Sequence, residues 1–295
     1  MFIKKKEISG HSAGVYTLGF DGEKLYSGSA DGFVARWLIE NGVQDQFSIN
    51  MKNPVYALRL LNDHQELVVG LSNGDLHFFN LELKVETHFF QQHKKAIFHL
   101  YENRTQNHLY SVDAIGMLCV WDLTSKKLRL TLPLSGGKIR RVTCNPDGTY
   151  LFVASQDGYI RVFETSFFNE IHRFYAHHDG ANCLVLVSDD HLISGGKDAI
   201  LRKWNWKKEQ LIKEIPAHHY AIYDVLLMNQ GNTLVSASRD KTLKIWDTDL
   251  NFIEKLDRKS GGHFHSVNVL HPISENEMVS AGDDKRIVFW ELEVI

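Results

Sequence analysis

The chain has 295 residues, 43% of them apolar and 23% charged, with 33 Lys and Arg against 36 Asp and Glu. That balance suits a folded globular protein with a sizeable core, and the net charge of −3 lacks the basic footprint of nucleic-acid binding. The lysines of Met1-Phe2-Ile3-Lys4-Lys5-Lys6-Glu7 precede no apolar run, and no stretch approaches the ~18 apolar residues of a membrane span, so neither a secretory signal nor a membrane partner is expected. Cys119, Cys144 and Cys183 are odd in number and form no C-x-x-C pair. They read as buried, reduced thiols of three different repeats, so a cytoplasmic location is expected.

Aromatic residues punctuate the chain at Trp37, Phe79, Trp121, Phe163, Trp204, Trp246 and Trp290, at gaps of 42, 42, 42, 41, 42 and 44 residues. Each ends a short alternating stretch such as Phe33-Val34-Ala35-Arg36-Trp37. A period of ~40–45 residues with such endings marks a propeller blade of four strands. Seven periods occupy nearly all of residues 1–295, so one all-β domain is expected: a seven-bladed β-propeller, each blade a four-stranded antiparallel sheet. After Trp290 only Glu-Leu-Glu-Val-Ile remains, too short for a further strand. Ile3 to His11 aligns by eye with Leu211 to His218, so residues 2–8 are expected to supply the outer strand of the last blade and close the ring. The Lys4-Lys5-Lys6 run then reads as solvated charge on an outer edge.

The sixth repeat is the clearest. Its inner strand begins after Ala217-His218, Thr233–Ser238 is the second strand, Leu243–Asp247 the third, and a polar fourth strand runs around Phe252–Leu256. The Ala-His start, the Ser-x-Ser-x-Asp centre and the Lys-Ile-Trp-Asp end resemble a WD-repeat (WD40). The resemblance implies the propeller fold over the whole chain. It also implies a hydrogen-bonded tetrad of His, Ser, hairpin Asp and Trp inside a blade. The matching positions are His11, Ser27, Asp31 and Trp37 in the first repeat, and His177, Ser194, Asp198 and Trp204 in the fifth. The sixth has His218, Ser236, Asp240 and Trp246, and the seventh His263, Ser280, Asp284 and Trp290. A hairpin centred near Lys241 would set Ser236 across from Trp246 on one face. The third repeat keeps His93, Ser111 and Trp121 but has Ile115 in the Asp position. The second has Asn73 and Phe79 with no usable His, and the fourth keeps only Asp157, with Phe163 for Trp. Blades 2 and 4 are therefore expected to rely on apolar packing and to open most easily.

The position after the first apolar residue of each inner strand should face one end of the ring, the top. It holds Tyr16, Tyr56, Phe98, Arg140, Asn182, Tyr223 and Asn268, and the residue before each hairpin Asp reads Ala30, Ser72, Ala114, Gln156, Lys197, Arg239 and Asp283. Aromatic and Arg anchors tend to dominate protein interfaces. Tyr16, Tyr56, Phe98, Arg140, Tyr223 and Arg239 are thus expected to bind a peptide or protein loop, the competing reading being that the aromatics only plug the channel.

Other sites are set aside. Adjacent histidines such as His177-His178 and His218-His219 point to opposite faces of a strand, and neither they nor His263-x-His265 gather a metal's ligand set. Ser-His-Asp combinations recurring at a fixed period read as architecture rather than a hydrolase triad. Ser135-Gly136-Gly137-Lys138 lacks the Ser/Thr of a phosphate loop. No catalytic residue, metal or cofactor is expected. The expected function is noncatalytic protein–protein scaffolding, with an unidentified protein or peptide partner on the top face. One rival is an enzyme with a site in the central channel, which would need charged groups converging there, whereas Val185-Leu186-Val187 and Val225-Leu226-Leu227 look like blade packing. Another is a reader of a modified or nucleic-acid ligand, with Arg140 and Lys197 supplying charge.

Overall fold

The structure, a computed structural model, describes residues 1–61 and 65–293. Within them the chain forms seven four-stranded antiparallel sheets, arranged as the blades of a β-propeller, and one turn of 3-10 helix at Arg258–Ser260. The inner strands are Val15–Phe20, Val55–Leu61, Ile97–Asn103, Ile139–Cys144, Ala181–Leu186, Ile222–Met228 and Val267–Pro272. Each blade then runs outward in chain order; in the sixth, Ile222–Met228 pairs with Thr233–Ser238, then Leu243–Asp247, then Phe252–Leu256. Second strands have a blade on either side and are buried beyond their first residue, and over their whole length in Thr233–Ser238. Outer strands such as Val85–Phe90 are mostly exposed. The hairpin after the second strand turns on a left-handed residue: Gly32, Gly74, Gly116 and Gly158 in blades 1 to 4, and Ala199, Lys241 and Lys285 in blades 5 to 7. At Gly158 a Cβ would lie 2.0 Å from the carbonyl oxygen of His177, so a side chain is excluded there.

The core is divided among the interfaces, because each apolar cluster joins two neighbouring blades. The punctuating aromatic of a blade packs toward the blade before it. Trp121 clusters with Leu61 and Phe78 of blade 2, and Trp246 with Ile193 and Leu201 of blade 5.

The ring closes as expected. Phe2–Ser9 pairs antiparallel with Arg286–Leu292, from Phe2 opposite Leu292 to Ser9 opposite Arg286. Its buried apolar side chains serve two interfaces: Phe2 joins the cluster between blades 6 and 7, and Ile8 the one between blades 7 and 1. Lys4 and Lys5 form surface pairs with Glu7 and Glu291, contacts of small energetic weight. Residues 294–295 of the short tail lie outside the described residues.

One regularity positions the functional site. The pairing register slips at the second residue of every inner strand, between Val15 and Thr17, Val55 and Ala57, Ile97 and His99, Ile139 and Arg141, Ala181 and Cys183, Ile222 and Asp224, and Val267 and Val269. A bulge leaves one residue unpaired and re-aims its side chain. In six blades both the bulged residue and its successor consequently line the central channel, as Phe98 and His99 do, or Arg140 and Arg141.

Candidate functional site

The recurring polar groups are internal braces. In blade 6 the Trp246 indole N–H donates to Ser236 Oγ at 2.9 Å, Ser236 Oγ lies 2.7 Å from His218 Nε2, and His218 Nδ1 lies 2.9 Å from Asp240. The same chain links Trp37, Ser27, His11 and Asp31 in blade 1, Trp204, Ser194, His177 and Asp198 in blade 5, and Trp290, Ser280, His263 and Asp284 in blade 7. Each Asp also accepts backbone N–H groups, Asp31 from Ser12 and Phe33 for instance, and so locks hairpin to entry loop. Burial works to raise Asp198, but hydrogen bonds and charge from His177 and Arg202 hold it down to about 2. The serines Ser27, Ser194, Ser236 and Ser280 are wholly buried, which leaves their hydroxyls no approach for a substrate.

Several expectations need correction. Ser236 lies opposite Lys244, and Trp246 opposite Leu234; the indole reaches the serine diagonally along one face. In blade 3 the tetrad is complete after all, because Asp113, two residues before Ile115, stands 2.9 Å from His93 Nδ1. His93 Nε2 lies 2.7 Å from Ser111 Oγ, to which Trp121 donates at 2.8 Å. Asp113 is fully buried and caps the hairpin through the N–H groups of Ile115 and Met117. In blade 4 Asp157 is held instead by the Arg161 guanidinium, at 2.5 and 3.1 Å. Blades 2 and 4 substitute the network as a set. Val69 and Val153 stand in the serine register, opposite Leu58 and Val142, with Phe79 and Phe163 for Trp, so no donor is stranded.

The top-face residues do converge. Tyr16, Tyr56, Phe98, Arg140, Asn182, Tyr223 and Asn268, one per blade, line a central channel of about 800 Å3. Four of them form a continuous arc. Tyr16 meets Tyr56 edge-on at 5.1 Å between centroids, Tyr56 meets Phe98 at 5.9 Å, and the Arg140 guanidinium lies 4.4 Å over the Phe98 ring. Such contacts favour defined ring orientations. Burial, with Asp283 and Tyr56 nearby, pushes the Tyr16 hydroxyl up to about 12. Asn182 and Asn268 are stitches between blades, donating to the carbonyls of Ile222 and Val15. Arg239 does not join the channel: it is exposed, and its guanidinium sits 5.8 Å over the ring of Tyr220.

Below this ring lies a second storey that the sequence reading missed. Arg59, His99, Arg141, Asp224 and His271 line the channel there. Charged groups therefore do converge, contrary to the expectation drawn from the apolar runs. The missed signal lay one residue after the bulged one in His99, Arg141 and Asp224 and three after it in Arg59 and His271, positions that the strict alternation assumed for these strands turns away. Arg141 Nη1 stands 3.3 Å from Asp224 Oδ1, and Asp224 accepts the N–H groups of Val225 and, in the next blade, Leu270, both at 2.9 Å. Burial raises the Asp224 carboxyl against these partners. Burial, with Arg59 and Arg141 alongside, pushes His271 down to about 4, and burial with the same two arginines drives His99 well below its ordinary value.

This storey should make the protein acid-labile. Both histidines are neutral when folded, and once unfolded they take up protons below pH ~6.5. Between the folded and unfolded values the unfolded chain binds more protons, so stability is full above pH ~6.5 and falls as the pH drops toward 4. His177 and His218, also lowered by burial, act in the same direction, and Asp224, raised by burial, acts in the opposite one. Melting curves at about pH 7 and pH 5 should differ by several degrees, and less so in the His99→Gln/His271→Gln variant. An equal loss in variant and parent would refute the assignment.

Among the described residues no three His, Cys, Asp or Glu side chains gather to hold a metal ion, and no helix is long and apolar enough to cross a membrane.

Seven blades, five of them braced in this way, define a class, and comparison with known sequences agrees. The model of the WD40 family (WD domain, G-beta repeat) matches residues 3–37, 126–164, 168–205 and 209–247, just over half of the chain. The chain belongs to the WD40 family. It is 24% identical over 230 residues to WD repeat-containing protein 55 of Rattus norvegicus, covering 77% of this chain and 60% of that protein. It is 31% identical over 143 residues to the kinesin-like protein KIF21B of Homo sapiens, covering 46% of this chain and 8% of that one. To the p21-activated protein kinase-interacting protein 1-like of Danio rerio it is 31% identical over 99 residues, 33% of this chain and 27% of that one. The chain thus spans about 60% of the length of the rat relative.

Proposed function

We propose that this propeller is a noncatalytic scaffold or adaptor subunit whose top face, at the mouth of the central channel, binds a peptide or protein loop. The observation that carries the reading is the arc of Tyr16, Tyr56, Phe98 and Arg140, half-buried side chains from four consecutive blades presented together at one opening. Rigid aromatic surface next to a guanidinium is what hot spots of protein interfaces are made of. Tyr223 extends the arc, and exposed Arg239 with Tyr220 offers a second anchor farther out on the same face. Protein interaction is the general role of WD40 propellers, and one relative carries interaction with a protein kinase in its name.

Two observations support the absence of catalysis. The tetrad hydroxyls are sealed from solvent, and both Asp224 oxygens already accept backbone N–H groups. Cys119, Cys144 and Cys183 are free and buried, consistent with a reducing cytoplasmic setting.

The test is affinity capture from the source cell's extract with parent and variant propellers. Tyr56→Ala and Phe98→Ala should each weaken recovery of a stoichiometric partner, by ~2 kcal/mol or about thirtyfold, with melting temperatures near the parent's. Full recovery by both folded variants would remove the top face as the docking surface.

A further inference from the structure

The channel carries more positive charge than the fold uses. Arg59, Arg104, Arg140 and Arg141 line it against Asp224 and Asp283, in a chain whose net charge is −3. Arg104 is matched by Glu102 at 3.2 Å, and Asp283 sits at the rim, bonded to Asn268. With Glu102 shared between Arg104 and Arg59, what remains in the channel is Arg140 in the ring and Arg59 and Arg141 below it, set against Asp224, an excess of two charges.

The donors of these groups are largely unspent. Each guanidinium offers five N–H groups. Arg59 Nε is buried without a hydrogen-bond partner, and Glu102, at 3.6 Å from Arg59, is too far for one. Arg140 rests on Phe98 with no ion pair or hydrogen bond among the described residues. Arg141 has a single contact, to an Asp224 oxygen that already accepts the Val225 N–H. Uncompensated charge held away from bulk water is costly, and clusters of this kind concentrate at functional sites. Low-dielectric walls also focus the field of such a cluster on an incoming anion.

We propose that the channel, from Arg140 in the ring down through the second storey, is a binding site for a dianionic phosphoryl group, gripped by Arg59, Arg140 and Arg141, with His99 and His271 as N–H donors. The charge excess matches a dianion, whereas a carboxylate would leave one positive charge unmet. Guanidinium forks suit the oxygens of a phosphoryl group, each able to give two parallel hydrogen bonds. Tyr16, Tyr56 and Phe98 then flank whatever stem carries the group. The stem's source is either a free small phosphate compound or a phosphorylated side chain. The inference stands on the charges of the channel and is independent of whether a protein docks above it.

Calorimetric titration of the full chain tests it, using inorganic phosphate, the peptide Gly-Gly-phosphoserine-Gly-Gly and its unphosphorylated form. One saturable site per chain is expected for at least one phosphorylated probe, with Kd in roughly the micromolar to millimolar range. Arg59→Gln and Arg140→Gln should each weaken it by roughly tenfold or more. Arg140 holds no ion pair among the described residues, so Arg140→Gln should melt with the parent, whereas Arg59→Gln, which gives up the 3.6 Å pair with Glu102, should melt slightly below it. Tighter binding of inorganic phosphate identifies a free compound as the source, and tighter binding of the phosphopeptide a modified side chain; both support the site. Silence from both phosphorylated probes at about 10 mM, equal binding of the unphosphorylated peptide, or unchanged affinity in both folded variants would overturn it. Phosphate binding together with full partner capture by Tyr56→Ala and Phe98→Ala would remove the top face as the protein-docking surface and leave the phosphoryl site standing.

Discussion

Removing residues 1–9 should lower the melting temperature by about 10–20 °C. The strand Phe2–Ser9 buries Phe2 in one interface and Ile8 in the next, and Glu7 pairs with Arg286 of the neighbouring strand. Burying each apolar side chain contributes ~1.5–3 kcal/mol, and the ladder and ion pair raise the total to ~4–7 kcal/mol. At ~2–4 °C per kcal/mol for a domain of this size, the shift follows. The Phe2→Ala/Ile8→Ala variant, which keeps the ladder, should show most of that loss, because the two side chains account for ~3–6 kcal/mol of it. Scanning calorimetry of the three proteins is the check. A truncated chain melting with the parent would mean that the ring holds without its closing strand.

Much of the fold was legible because its signal is repeated. Trp121, Trp246 and their counterparts fill the same slot against the preceding blade, and that slot is what fixes the period. The pairing of Phe2–Ser9 with the last blade was legible from the likeness of Ile3–His11 to Leu211–His218. What escaped was local geometry that the pattern does not encode. Asp113 braces His93 from a position two residues earlier than in other blades, and an alignment by slot sees only Ile115. Arg161 replaces a histidine in partnering Asp157 from a different strand. The candidate site was half legible: counting one residue into each inner strand found the aromatic arc. Arg59, His99, Arg141 and Asp224 stayed hidden because the bulge breaks the alternation on which the count relied. Arg239 was drawn off the channel by the face of Tyr220.

The second large effect concerns the brace in blade 6. Ser236→Val alone should cost ~2–4 kcal/mol, because it leaves the Trp246 indole N–H and the His218 ring nitrogen buried without partners. Carrying the whole set across from blade 2, as His218→Met, Ser236→Val, Asp240→Asn and Trp246→Phe, copies Met51, Val69, Asn73 and Phe79. That quadruple variant should be more stable than Ser236→Val, although it removes more, since no polar group is left stranded. Urea denaturation of the parent, the four single variants and the quadruple would measure the coupling. Costs that simply add would show that the four groups act independently.

The seam of the ring also sets an order of events during synthesis. Phe2 is made long before its partner Leu292, so that apolar strand waits unpaired while six blades assemble between them. Pairings of such sequence separation form slowly. A permuted chain with residues 2–9 joined behind the last blade would turn this longest closure into a hairpin, and should refold faster to the same propeller.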